Sequence, residues 1–146
     1  MPNNRINTDW QFRYAPLPAG YAERYVSQVR ANEMINRAAV ILKYKEPFVR
    51  WLNEADPCED DPGITAENAN DDLNVYLISD ADVENIEEWI SLNYKTLFEN
   101  ELEDWYTDES LWPKKRDKKT FHEWFAIECH SVIIDTVGGV IEYDET

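Results

Sequence analysis

The chain has 146 residues and a mass of 17.2 kDa, with 30 acidic against 14 basic side chains and a net charge of −16. An acidic excess of that size argues against nucleic-acid binding by phosphate neutralisation, which needs a basic footprint, and against adhesion to an anionic membrane surface. Apolar residues make up 43% and aromatics 13%, enough for a packed core without disulfide staples, so a single domain is expected rather than a disordered chain.

Residues 1–33 read as an accessory segment ahead of the main acidic domain, 34–146. In DWQFRYAPL the aromatics Trp10, Phe12 and Tyr14 fall at period two, whereas Tyr21, Tyr25, Val26 and Val29 recur at helical spacing. Arg5, Arg13, Arg24 and Arg30 stand there against Asp9, Glu23 and Glu33, so residues 1–34 carry +1 and residues 35–146 carry −17. The N-terminus lacks the continuous apolar run of a signal peptide, and no run approaches the length of a membrane span, so a cytoplasmic location is expected.

The run AAVILKY, 38–44, is β-branched-rich and suits a buried strand. Pro47 then opens a helix over 47–55 whose inward residues are Phe48, Trp51, Leu52 and Ala55. Residues 56–72, DPCEDDPGITAENANDD, form an acidic connecting loop with one turn of helix at 65–69. The segment NVYLIS, 74–79, is a second strand, and a crossover through the intervening helix predicts that it runs parallel to the first.

A long helix follows over 82–105. Val83, Ile86, Trp89, Ile90, Tyr94, Leu97, Phe98, Leu102 and Trp105 form its apolar stripe, and Ser79, Asp80 and Asp82 suit its N-terminus. The loop YTDESLWPKKRDKK carries the one basic cluster of the chain. Thr120 and Glu123 have capping-box spacing, which predicts a helix over 120–137 ending at Gly138-Gly139, with a strand at HSVIIDTV as the competing reading. VIEYDE is an edge strand or a tail. The expected fold class is therefore α+β: a small sheet of 38–44 and 74–79 covered by helices 47–55, 82–105 and 120–137. Trp89, Ile90, Leu97, Trp124 and Phe125 are expected in its core.

Chemistry is hard to find in the motifs. Asp56, Glu59, Asp60 and Asp61 offer hard oxygen ligands but miss the alternating register of a calcium loop. His122, Cys129 and His130 share one expected helix, yet 122 and 130 lie two turns and about 80° apart, so a single zinc would not gather all three. HEWFA has Ala126 where HExxH has its second histidine, and Cys58 and Cys129 form no CxxC. No glycine-rich phosphate loop or GxSxG elbow is present. No metal or cofactor is expected. A small metal-dependent or hydrolytic enzyme using the acidic loop or His122 and His130 is the second reading.

Opposite the apolar stripe of the long helix lie Glu84, Glu87, Glu88, Ser91, Lys95, Glu99 and Glu103, with Glu101 and Asp104 nearby. Such a face keeps a protein soluble, and it also suits electrostatic docking of a basic protein partner, whose encounter the field would accelerate. The expected function is accordingly a non-enzymatic interaction module, an adaptor, inhibitor or immunity-type protein. Its candidate partner-binding residues are Glu84, Glu87, Glu88 and Glu103, joined by Trp105 and Trp112 from EDWYTDESLW. A nucleic-acid mimic is a further reading, requiring carboxylates in rows at phosphate-like spacing. The segments MINRAAVILKYKEPFVRWLNEADP, NVYLISD and WYTDESLWP together resemble an uncharacterised family of short acidic bacterial proteins, over residues 34–137. The resemblance implies a bacterial origin and one domain, and it brings no activity or ligand.

Overall fold

A computed structural model describes residues 34–57 and 61–144 of the chain. The expected arm and helix of 1–33 lie outside the described residues, as do Cys58, Glu59 and Asp60 of the acidic loop. The fold is α+β. Strands β1 (Arg37–Tyr44), β2 (Val75–Ser79) and β3 (Phe125–His130) form a sheet in the order β2-β1-β3. The helices are α1 (Glu46–Glu54), the single turn α2 (Ala66–Ala69), α3 (Ile86–Trp105) and α4 (Lys118–Trp124). Short 3₁₀ segments at Asp80–Asn85 and Glu109–Leu111 flank α3.

Alternation in β1 decides which side chains meet the helices, because successive side chains point to opposite sides of a strand, although Ala39 on the other side is buried as well. Ala38, Val40, Leu42 and Tyr44 go inward and are all buried. Their antiparallel partners add Ile78 and Tyr76 from β2 and Phe125, Ile127 and Cys129 from β3. The helices cover this one face, contributing Phe48, Leu52, Ile90, Leu97, Phe98, Leu102, Trp105 and Phe121 to a continuous core. Its centre is aromatic. Tyr44 stacks on Phe48 with centroids 3.9 Å apart, and the Phe98 ring meets Phe125 edge-on at 5.2 Å, arrangements that add to simple burial.

Both strand pairs are antiparallel, which corrects the parallel crossover expected between the first two strands. The reason lies in the connector. Asn70 holds the end of β1 with a doublet of hydrogen bonds, its Oδ1 accepting from Tyr44 N at 2.8 Å and its Nδ2 donating to Tyr44 O at 3.1 Å. The chain therefore re-enters the sheet at the end it left, pairing Ile41 with Val75 and Arg37 with Ser79. Asn53 repeats the device on the acidic loop, accepting from Ile64 N at 2.7 Å and donating to Ile64 O at 2.9 Å. Gly63, at φ +88°, passes so close that an added Cβ would lie 2.8 Å from Asn53 Oδ1. Only glycine accommodates both demands.

The expected helix over 120–137 is also corrected. Asp117, not Thr120, caps α4 by accepting from Thr120 N at 2.8 Å, and the chain turns extended at Phe125. Trp124 O then accepts from Lys45 N at 2.8 Å and β3 zips along β1. Of the competing strand at HSVIIDTV, there is one isolated bridge, between Met34 and Ile134, with Ile35 N donating to Ile133 O at 2.9 Å. The core differs in detail too. Ile90, Leu97 and Phe125 are buried as expected, whereas Trp89 and Trp124 are half-buried at its margin.

Candidate functional site

The long helix carries both the exposed and the buried acids. It begins as 3₁₀, with Ser79 Oγ accepting from Ala81 N, and becomes α-helical at Ile86. Glu84, Glu87, Glu88 and Glu103 are all exposed, and Glu99 is partly so. Their row is not continuous. Lys95 stands within it, Leu92 is 78% exposed beside it, and Lys118 from α4 donates to Ser91 Oγ. The face is thus divided into an acidic first part, Asp80 to Glu88, and a separate acidic end at Glu103.

Glu101 does not belong to that surface. It is only 1% exposed and its carboxylate collects three donors, from β1, from β2 and from Asn74 just ahead of β2. Tyr44 Oη donates to Oε1 at 2.6 Å, Asn74 Nδ2 donates to Oε2 at 2.8 Å, and Tyr76 Oη also donates to Oε2. Asn74 donates to Asp104 as well, and Trp105 Nε1 donates to Tyr44 Oη at 3.2 Å. Burial, followed by the neighbouring Glu101 charge, pushes the Tyr76 phenol well above the ordinary tyrosine range. A buried carboxylate is tolerated when its lone pairs are filled this way. The network ties β1, β2 and α3 together.

The aromatic loop takes a different place from the one expected. Trp105 is 2% exposed within the core, so its ring has no surface to offer a partner. Trp112 is half-buried, its Nε1 donating to Tyr106 O at 2.8 Å and its ring lying under the Arg116 guanidinium at 5.8 Å. The aromatic groove at the surface lies elsewhere. Trp51 and Trp124, with ring centroids 6.1 Å apart, sit between Pro47 and Pro113 around a shallow cleft of about 400 Å³. No local sequence signal marked it, since Trp124 falls at helical spacing with Phe121 and Phe125 and the groove forms only when α1 packs beside α4.

At the acidic loop, Asp56 and Asp61 flank a cleft of about 380 Å³ floored by Leu52 and Tyr106. Asp61 Oδ1 accepts from Gly63 N at 2.9 Å, and the Tyr106 phenol is raised by burial and then by the Asp56 and Asp61 charges. His122 and His130 are not brought together as a unit. His122 sits in α4, its carbonyl accepting from Lys45 Nζ, whereas His130 Nε2 lies 3.2 Å from Glu128 at the end of β3. Cys129 points inward opposite Val40 while His130 points outward opposite Ala39, so neighbours in sequence face opposite sides of the sheet. No group of three or more His, Cys, Asp or Glu side chains is arranged around a common point among the described residues, and no helix among them is long and apolar enough to cross a membrane.

No protein-family model matches the chain, and neither a curated protein nor a solved structure is significantly similar to it.

Proposed function

We propose that the protein is a non-enzymatic binding module for a basic protein partner. The observation that carries this reading is the set of exposed carboxylates at the start of the long helix, Glu84, Glu87 and Glu88, held on a rigid element whose other side is the core. Carboxylates fixed in this way present a preorganised field, and such a field accelerates encounter with a cation-rich surface. Glu103 adds a second negative point at the far end. Aromatic anchoring by Trp105 and Trp112 is dropped from the proposal, since one ring is interior and the other is covered by Arg116.

The experiment is capture from the native cell extract on immobilised full-length chain, comparing the parent with a variant carrying Glu84→Gln, Glu87→Gln, Glu88→Gln and Glu103→Gln. The expected result is a basic protein held at about 0.1 M salt, where charges act over about 10 Å, and released at about 1 M, where they act over about 3 Å. The quadruple variant is expected not to hold it. Retention that survives both the salt and the substitutions would point to an apolar contact and overturn the reading.

A further inference from the structure

The cleft between α1 and α4 is separate from the acidic helix face, since none of Glu84, Glu87, Glu88 and Glu103 lines it. Trp51 and Trp124 form its centre, Pro47, Ala55 and Pro113 surround them, and the exposed side chains of Arg50 and Glu54 stand at its rim. The rings are held in place by the fold. Trp51 Nε1 donates to Leu111 O at 2.9 Å, and Phe48 meets Trp51 edge-on at 5.2 Å and Trp124 at 5.9 Å. A ligand therefore finds the groove already ordered, which lowers the cost of binding.

Ring geometry decides what shape fits. A group sandwiched between the two indoles would need centroids about 7–8 Å apart, twice an ordinary contact of about 3.5–4 Å. The centroids are 6.1 Å apart and the planes are tilted by 41°, so an ammonium caged between the rings is excluded. A flat apolar group lying across both is what the rings admit. The walls restrict the backbone of such a ligand as well. They are largely helical, and the last carbonyl of α4 already accepts from Lys45 N at 2.8 Å, so an extended peptide cannot add here as a strand. A polyproline II segment needs no such pairing. Proline has no N–H, and the carbonyls of that conformation are open to side-chain donors. Two donors are at hand: among the described residues, Arg50 forms no ion pair and Trp124 Nε1 has no acceptor.

Charge sets a second requirement. Glu54 lies in the last turn of α1, at the negative end of the helix dipole, and that turn has no basic residue. Glu54 also forms no ion pair among the described residues. A cation placed there would relieve an arrangement that is unfavourable by itself, and the net charge of −16 acts in the same direction.

We propose that this cleft binds a proline-rich peptide segment carrying a lysine or arginine, with proline rings lying across Trp51 and Trp124 and the cation at Glu54. The cleft of about 400 Å³ falls at the small end of ligand sites, which suits a few residues of such a segment.

Short synthetic peptides, capped at both ends and titrated into the full-length chain, test this through the indole N–H resonances. The Trp124 resonance is assigned by its loss in Trp124→Phe. With a peptide of proline and leucine bearing one arginine at its end, that resonance is expected to shift and to saturate with a Kd on the order of 0.1 mM. Alanine in place of every proline keeps the charge and should weaken binding about tenfold, because the preformed extended shape is lost. Glutamate in place of the arginine should weaken it about fivefold. Glu54→Gln, an exposed substitution, should erase most of that preference for arginine while leaving the preference for proline. No shift of Trp124 up to about 5 mM peptide would overturn the proposal. Equal binding of the alanine peptide would do the same, as would an arginine preference unchanged in Glu54→Gln. A Trp124 resonance that moves with protein concentration alone would also overturn it, by making a second copy the occupant.

Discussion

Glu88 and Glu101 sit on the same helix, carry the same side chain and live in opposite environments. Glu88 is exposed to solvent near the start of α3, whereas Glu101, nearly four turns on, is sealed under Tyr44, Tyr76 and Asn74. The two ends of the helix thus use the same chemistry for different purposes. At the beginning, carboxylates make an external field that salt screens; at the end, a carboxylate organises donors from two strands in a place salt hardly reaches. Counting acids on the helix therefore overstates the surface charge available to a partner.

The sharpest way to break this comparison is to remove Glu101. Glu101→Ala removes the carboxylate to which the Tyr44 and Tyr76 hydroxyls and the Asn74 amide donate and opens a cavity, so the loss of stability should reach about 3–5 kcal/mol. Urea denaturation reads it directly, and a change under about 1 kcal/mol would mean that water or another acceptor replaces the carboxylate. Tyr44→Phe is milder, removing one donor to Glu101 and the acceptor of Trp105 Nε1 at a cost of about 1–3 kcal/mol.

The network also has a pH signature. Tyr76 is raised in the folded state, so the fold favours the protonated phenol. Its contribution is fully present below the unfolded tyrosine value of 10.0 and declines as pH rises past it toward the folded value. Stability should fall above about pH 10, and Tyr76→Phe should lessen that fall in denaturation curves collected between about pH 9 and 11. Tyr106, raised for a similar reason, supplies a remaining slope in the variant. An unchanged alkaline limb in Tyr76→Phe would show that this phenol is not held protonated by the fold.

The smallest effect on folding belongs to the exposed end of the comparison. Replacing Glu84, Glu87, Glu88 and Glu103 together by Gln should shift stability by no more than about 0.5 kcal/mol per site, as for other surface positions. A loss of several kcal/mol would place those carboxylates in structure rather than in recognition.

The elements built on strong local signals were legible in the sequence. Pro47 opened α1, NVYLIS gave β2, and the stripe from Val83 to Trp105 identified the long helix with its buried side. Glu101 was misplaced because at helical spacing it borders both faces, and only the convergence of Tyr44, Tyr76 and Asn74 decides between them. The region after Thr120 misled for a related reason: Phe121, Trp124 and Phe125 satisfy a helical period, while Phe125, Ile127 and Cys129 satisfy a strand period in FAIECH. Pairing with β1 settles that ambiguity, and such long-range pairing has no local signature. The antiparallel return to β2 hangs on Asn70, whose role as a clamp depends on a partner 26 residues away.

The central claim, that the exposed carboxylates of the long helix capture a basic partner, is tested most directly by an association rate. The partner recovered by capture is mixed with parent and with the Glu84, Glu87, Glu88 and Glu103 quadruple Gln variant at about 0.1 M salt, and the rates are compared by stopped flow. The account predicts a several-fold, roughly threefold to tenfold, slower association for the variant, with most of the loss in the on-rate. Equal association rates for the two proteins would contradict it and leave the acidic face as a solvated surface only.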